Sequence, residues 1–364
     1  MICSIMEKII DPISLELIKA ELTSDKKLID TNKGGNEIYV VTWQDSPNVV
    51  KEIGRLREIA YREAGASSGK SMDLDEFDTM ENPYRQLIVW DPEAQAIVGG
   101  YRYILGPDVS IKSDGQPNLT SSHLYHFSDE FITHYLPHTM ELGRSFVTPE
   151  YQSSKAGAKA IFAMDNLWDG IASVILSHPN IIYFFGKMTI YPSYDQTARD
   201  LIMHFLWKHF NDKDNLVRPY HPVMPESNPH LMDLILAKEE VKQDYRCLKD
   251  AVHRLGTHIP PLVNSYINTS STMKMCGTSI NDELAGAIET AIMICFDEIY
   301  EDKKARHVES FENSYYARLR ARFPRIAPGF EERMRQNREM RRKKLFMAFL
   351  RKKVRTGSPD IEFL

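Results

Sequence analysis

Apolar residues recur along this chain in two rhythms, one of three to four positions and one of two. Val49, Ile53, Leu56 and Ala60 fall at helical spacing, with Ser46-Pro47 ahead of them as a start signal and Gly65 behind them as a stop. Residues 37–43 (EIYVVTW), 85–90 (RQLIVW) and 96–104 (AIVGGYRYI) are β-rich, and the last two flank Asp91-Pro92-Glu93, which predicts a hairpin. Residues 139–147 (TMELGRSFV) and 181–191 predict two more strands, and 289–296 (ETAIMICF) a late one. Helices are predicted over 12–22, from about 154 to 177, over 195–210 and within 229–254. Residues 25–35, 106–122 and 211–229 read as polar connections, and the text from Phe311 onward is helical and basic. No internal repeat is visible. Strands interleaved with helices specify an α/β fold, a central sheet with helices on both sides. Three segments are expected: a helix and linker over 1–36, a main domain over 37–310, and a basic helical extension over 311–364.

Composition narrows the class. With 364 residues, 43% hydrophobic and 26% charged, the chain has an ordinary globular makeup and enough length for a core. No apolar run approaches the roughly 18 residues of a membrane helix, and Glu7 and Lys8 interrupt the short N-terminal stretch, so no secretory signal is expected. Cys3, Cys247, Cys276 and Cys295 lie far apart with no CxxC. That spacing argues against a disulfide framework or zinc site and for a reducing, cytoplasmic setting. The net charge of −5 conceals an asymmetry. Residues 303–355 hold 18 Lys and Arg against 5 Asp and Glu, a net +13, while the rest of the chain carries −18.

Four blocks of text carry candidate chemistry. The first runs from Arg57 to Asp78, with Tyr61-Arg62-Glu63-Ala64-Gly65 ahead of Leu74-Asp75-Glu76-Phe77-Asp78. The second is Ile97-Val98-Gly99-Gly100-Tyr101-Arg102. The third is Met140-Glu141-Leu142-Gly143-Arg144-Ser145-Phe146-Val147, followed by Tyr151-Gln152 and Leu167-Trp168-Asp169-Gly170-Ile171. The fourth is Gly186-Lys187-Met188-Thr189-Ile190. In this order they resemble the GNAT-fold N-acyltransferases of membrane-lipid biosynthesis, the hemolysin-like group that includes the ornithine-lipid and glycine-lipid enzymes. Acyl-homoserine-lactone synthases are more distant relatives, with a similar helix, acidic pair and Glu-x-x-Arg strand. The resemblance spans roughly residues 49–311. It implies transfer of a 3-hydroxylated fatty acyl group from an acyl-carrier-protein thioester, or from acyl-CoA, to the amino group of glycine or ornithine. It implies no permanently bound cofactor and no metal.

Read residue by residue, Glu141 and Arg144 sit three apart on a strand and are expected on opposite faces. Glu141 is the candidate base for the attacking amine, its apolar strand neighbours being expected to raise its pKa. The alternative for Glu141 and Arg144 is an ion pair bracing strand to helix. Asp75 and Asp78 fit either a capped turn or a clamp on the acceptor's ammonium group. Arg57 and Tyr61 share a helix face suited to a carboxylate or phosphate, and Arg102 reaches toward the same pocket. Gln152, Ser153, Ser154 and Lys155 stand where GNAT enzymes carry a glycine-rich pyrophosphate loop. Lys155 replaces a glycine there, which favours the single phosphodiester of phosphopantetheine on a carrier protein.

Other chemistries find no signature. There is no HExxH, HxxxxD, GxSxG, Walker or dinucleotide motif, and His123, His126, His134 and His138 lack metal-ligand spacing. Cys276 in MKMCGT is a candidate nucleophile, the alternative being inert core, as isolated cysteines usually are. Residues 330–354 combine Arg and Lys clusters with Met334, Leu345, Phe346, Phe349 and Leu350. Such a stretch suits an anionic membrane surface at the inner face of the cytoplasmic membrane, or an acidic carrier protein, or a solvated helix; nucleic acid is not expected. Two rival functions stay open: a synthase of diffusible acyl signals, and a non-catalytic membrane- or nucleic-acid-binding protein on a decayed fold.

Overall fold

The computed structural model describes residues 6–65, 68–152 and 158–305, together with 329, 332, 333, 336 and 340. Ser153, Ser154, Lys155 and nearly all of the predicted basic extension lie outside the described residues. In chain order the elements are α1 (Leu15–Glu21), β1 (Lys27–Asp30), β2 (Glu37–Val41), α2 (Pro47–Glu63), α3 (Glu76–Thr79), β3 (Arg85–Asp91), β4 (Ala96–Leu105), β5 (Tyr125–Phe127) and β6 (Thr139–Val147). There follow α4 (Ala158–Ser177), β7 (Tyr183–Ile190), α5 (Gln196–Phe210), β8 (Val217–Pro219), α6 (Pro229–Ile235), α7 (Val241–Arg254), α8 (Pro261–Ile267), β9 (Lys274–Asn281), β10 (Ala287–Cys295) and α9 (Glu301–Lys304).

Eight strands form one mixed sheet in the order β1-β2-β3-β4-β6-β7-β10-β9, and β5 pairs with β8 in a small second sheet. Every pair in the large sheet is antiparallel except β6 with β7. The predicted hairpin is β3–β4, and the strand expected over 139–147 is β6. Four strands escaped the pattern, among them the three-residue β5. β1 is a short edge strand inside the supposed linker, β9 (KMCGTSIN) is broken by Gly277 and polar residues, and β8 lies in the Pro-rich connection. β1 makes the N-terminal segment part of the sheet. Helix α2 starts at Pro47 as read, but Ser46 makes no side-chain cap. Glu21 of α1 caps it instead, accepting from Asn48 N (3.2 Å) and Val49 N (2.8 Å), so a carboxylate meets the positive end of the helix.

The two faces of the sheet differ. On one, Leu87, Val89, Val98, Tyr101, Leu142 and Phe184 join an unbroken core with Leu167 and Ile171 of α4 and Leu201 and Phe205 of α5. On the other, the apolar surface is interrupted. Along β3 this face reads Tyr84, Gln86, Ile88, Trp90, and along β4 it carries Ile104 and Arg102, then Ile97 beyond an irregularity. Ile88, Trp90, Ile97 and Phe146 pack with Val49, Ile53 and Leu56 of α2. Tyr84, Ile104 and Phe185 pack with Phe127 and Phe131 of the 106–136 excursion. Between these two cores Gln86, Arg102 and Glu141 form a polar belt, all of them buried.

β6 and β7 pair only at Thr139–Glu141 with Tyr183–Phe185 and then part. Beyond Glu141, the β7-facing edge of β6 has no strand partner. The V-shaped cleft that results opens toward the end of β7.

Candidate active site

The site grows from a bulge. Arg102 faces Gly143 and Gly100 faces Phe146 across β4 and β6, so Arg144 and Ser145 together oppose the single residue Tyr101. Arg144 adopts the left-handed conformation at φ 48°, as an extra residue in a strand often does. The bulge shifts the strand's alternation, and the expected opposite facing of Glu141 and Arg144 is thereby corrected. Both belong to the polar belt. β6 is half-exposed at Gly143, Arg144 and Ser145 in its middle and again at its last residue, Val147. Tyr61 of α2 donates to the Ser145 carbonyl at 3.1 Å and ties the helix to the bulge.

Three arginines and three aspartates interlock around it. Arg57 is fully buried and holds the Asp73 carbonyl, the Asp73 carboxylate (3.1 Å), Asp78 (2.9 Å) and the Gln86 side chain (3.4 Å). Its guanidinium is therefore engaged inside the protein rather than lining an open pocket. Arg102 grips both oxygens of Asp75, at 2.7 and 2.8 Å, and reaches Asp78 at 3.0 Å. Arg144 stands 3.2 Å from Asp73 and 3.4 Å from Asp75. Asp75 also caps α3 in a capping box with Asp78, so the capped turn read in the sequence is present. Both carboxylates already have arginine partners, and an ammonium clamp would have to compete with them. Burial works against the charge on Asp78, but Arg57 and Arg102 outweigh it and hold the carboxyl well below the usual range. Asp75 is shifted down likewise, burial being offset by Arg102.

Glu141 ends the belt. Its side chain is buried and accepts from Tyr84 Oη, Thr120 N (3.3 Å), Thr120 Oγ1 (3.2 Å), Ser121 N (3.2 Å) and Ser121 Oγ. The carboxylate therefore pins the loop that the sequence marked only as polar. The ring of Tyr84 lies under the Arg102 guanidinium, 5.4 Å from its centre, and joins Glu141 to the arginine network.

Asp73 Oδ2 and two arginine Nε groups in this network are buried without a hydrogen bond among the described residues. Arg102 Nε is buried with no hydrogen-bond acceptor among the described residues, and Arg144 Nε faces Asp73 without hydrogen-bond alignment. A Cβ placed on Gly143 would meet Arg102 Nε at 3.9 Å and Thr120 Oγ1 at 4.0 Å. The small gap over Gly143 is thus bounded by a guanidinium donor on one side and a hydroxyl bound to Glu141 on the other. Buried donors without acceptors are uncommon and costly.

The far wall of the cleft is polar too. Lys187 pairs with Glu289 at 2.6 Å, and Asn281 donates to the same carboxylate at 2.9 Å. Burial raises the pKa of Glu289, yet Lys187 and the hydrogen bonds leave it lowered. Tyr191, at the end of β7, feels both Glu289 and Arg144. Tyr191 lines a cavity of about 380 Å³ together with Thr189, Ser193, Tyr194, Leu255 and Thr257. At the start of the expected donor loop, Gln152 is exposed and its amide donates to Val147 O. Cys276 is buried and its thiol is pushed far up by that burial, so it is no nucleophile. Among the described residues no group of three or more His, Cys, Asp or Glu is placed to share a metal ion, and no helix is long and apolar enough to cross a membrane.

Asp73, Tyr84, Thr120, Ser121, Gly143, Lys187 and Glu289 join this region without having been singled out for a role. Their signal was weak: each is one polar or small residue in an apolar strand or an irregular loop.

The mixed sheet flanked by helices agrees with the acetyltransferase (GNAT) domain family, whose pattern matches residues 56–161. The chain is 55% identical over 310 residues to the glycine N(alpha)-acyltransferase of Bacteroides thetaiotaomicron, covering 85% of this chain and 92% of that protein. It is also 55% identical over 306 residues to the enzyme of the same name from Phocaeicola vulgatus, covering 84% and 94%. The chain belongs to the family of these GNAT-fold enzymes and is an N-acyltransferase. A solved CoA-dependent acyl-homoserine lactone synthase, bound to SAM and isopentyl-CoA, aligns at 12% identity with a TM-score of 0.34. That alignment covers 76% of this chain and 90% of the synthase; the score is too low to superpose the two sites.

Proposed function

We propose that the enzyme transfers a long-chain, 3-hydroxylated fatty acyl group from an acyl-carrier-protein thioester to the α-amino group of glycine, yielding an N-acyl amino acid for an amino-acid lipid. The observation that carries this reading is the gap over Gly143, bounded by the unpartnered Arg102 Nε and by Thr120 Oγ1. The acceptor's carboxylate binds Arg102 and the half-exposed Arg144, while its amine lies toward Thr120. Arg57, Asp75 and Asp78 keep those arginines in position. Glycine, with no side chain, suits so small a space, and it is the substrate in the names of the relatives.

Catalysis then needs a neutral amine, a place for its proton, and an electrophile held in line. Glu141 is enclosed by five donors, so the proton travels in two moves: from the amine to Thr120 Oγ1, and from that hydroxyl to Glu141 Oε2. The C–N bond forms, the C–S bond breaks, and the thiolate leaves along the cleft. Backbone N–H groups on the unpaired edge of β6 are available to the oxyanion.

The carrier protein is preferred over CoA as donor because Gln152 bonds back to Val147 O rather than offering itself to a phosphate, and Lys155 replaces the loop glycine. Ser153, Ser154 and Lys155 would meet the phosphopantetheine phosphate. The +13 stretch over residues 303–355 supports peripheral association with an anionic membrane surface. The test incubates purified enzyme with acyl-carrier-protein or acyl-CoA and an equimolar mixture of isotopically distinct glycine and ornithine, read by mass spectrometry. N-acylglycine made preferentially from the carrier thioester is expected. A product on ornithine, or a lactone, would replace this reading.

A further inference from the structure

Helix α7 carries a row of basic side chains, three of them Lys or Arg, that its own stability does not explain. Its buried side is Asp244, Leu248 and Val252. Lys242, Arg246, Lys249 and His253 are all exposed. Their spacings of four, three and four put them within about 60° of arc on a 3.6-residue helix, forming one stripe about 17 Å long. None of the four forms a salt bridge among the described residues, although Lys242 lies over the Tyr300 ring at 5.6 Å, His253 packs against the His258 ring, and the exposed Asp250 lies one turn from Arg246. The nearest carboxylate on the inner side, Asp244, is taken by Lys208 (2.8 Å) and His209 (2.7 Å) of α5. A cation at the C-terminal end of a helix meets a favourable dipole, but Lys242 sits in the first turn, where the dipole repels it.

The stripe leads to the cleft. α5 and α7 run antiparallel: Lys208 and His209 meet the start of α7, while Tyr194, just ahead of α5, donates to His258 O beyond its end at 2.9 Å. Leu255 and Thr257, directly after α7, line the 380 Å³ cavity with Tyr191 and Tyr194. Tyr191 directly follows β7, whose Lys187 pairs with Glu289 on the wall of the cleft. The exposed apolar residues Trp207, Leu231 and Leu234 lie on the second half of α5 and on α6, at the opposite end of the helix pair. The end of the stripe beside the cavity mixes the exposed Leu255 with Thr257 and Ser193, a rim that suits an acyl-bearing arm presented by a charged protein.

We infer that the Lys242–Arg246–Lys249–His253 stripe is the docking surface for the donor, an acidic carrier protein that threads its acyl-bearing arm through the cavity at the end of α7 toward the bulge of β6. This rests on the carrier-protein reading above. Exposed basic side chains at a rim steer an acidic partner and set its affinity and salt dependence.

The experiment compares steady-state kinetics of the full chain with an acyl-carrier-protein and with the matching acyl-CoA. Arg246→Glu/Lys249→Glu is expected to raise KM for the carrier thioester by about tenfold or more with kcat unchanged, to leave both constants for acyl-CoA alone, and to flatten the salt dependence of the carrier reaction. Arg246→Lys/Lys249→Arg restores the wild-type value. The milder Arg246→Gln/Lys249→Gln pair gives the same direction should the reversal disturb folding. An unchanged carrier KM, an equal rise with both donors, or lost binding to phosphatidylglycerol vesicles with carrier kinetics intact would overturn the docking surface. A wild-type enzyme that rejects the carrier thioester altogether instead removes the donor reading beneath it.

Discussion

Arg102 and Gly143 face each other across β4 and β6, and Arg102 Nε lies 3.9 Å from the point where a Cβ on Gly143 would stand. A methyl group there meets only ordinary contacts, and Gly143 is not among the residues with positive φ. Gly143→Ala is therefore expected to fold normally while filling the gap assigned to the acceptor. KM for glycine should rise by about tenfold or more, with KM for the acyl donor and the melting temperature unchanged. An unaltered glycine KM would move the acceptor elsewhere.

The five bonds to Glu141 give its substitution two consequences. Glu141→Gln turns an acceptor of five donors into a side chain with an NH₂ aimed at one of them. Turnover should fall by roughly 10²–10⁴, and hydrogen exchange over residues 119–122 should accelerate as the loop loosens. Thr120→Val separates chemistry from anchoring, since the backbone N–H of residue 120 still donates to Glu141. If Thr120 relays the amine's proton, this variant loses most of its kcat and keeps the loop protected. Normal kcat in Thr120→Val would break the relay.

Asp78 ties stability to pH. Burial opposes its charge, but Arg57 and Arg102 hold its carboxyl well below the ordinary range. Its contribution is complete above the unfolded carboxylate value of about 4 and is lost as pH falls toward the lower folded value. Asp78→Asn should cost about 3–5 kcal/mol at neutral pH, because two buried guanidiniums lose a partner. The denaturant-derived stability of the variant should also fall less steeply with acid below pH 4 than that of the wild type. Parallel acid profiles would show that other carboxylates dominate.

The basic extension is tested by deletion of residues 329–364. At about 1 kcal/mol per Lys or Arg near an anionic leaflet, with Leu345, Phe346, Phe349 and Leu350 adding a salt-resistant part, the truncated enzyme should bind anionic vesicles less. Turnover of a soluble donor should persist. Retained vesicle binding with a raised KM for the carrier would assign the extension to the carrier protein instead, and unfolding on truncation would make it a structural helix.

The sequence alone determined the ladder of elements wherever periodicity was strong. α2, β3, β4, β6, β7 and α5 were all legible because their apolar positions repeat at 3.6 or 2 residues against a contrasting background. The text of the four blocks was enough to identify the GNAT class and to single out Arg57, Asp75, Asp78, Arg102, Glu141 and Arg144, which the fold brings into one belt. Their mutual arrangement was decided in three dimensions. Arg144 faces the same side as Glu141 because β6 bulges, and a bulge depends on two residues opposing one across a strand pair. No spacing within β6 alone encodes that count. Arg57 is buried rather than open because α3 folds Asp73 and Asp78 back over it, a contact between segments sixteen and twenty-one residues away. Thr120 and Ser121 reach Glu141 from a loop without periodicity, where nothing but the buried carboxylate's need for donors selects them. Residue type is a local property, whereas facing, burial and hydrogen-bond partnership belong to pairs of residues, and only the folded chain brings the pairs together.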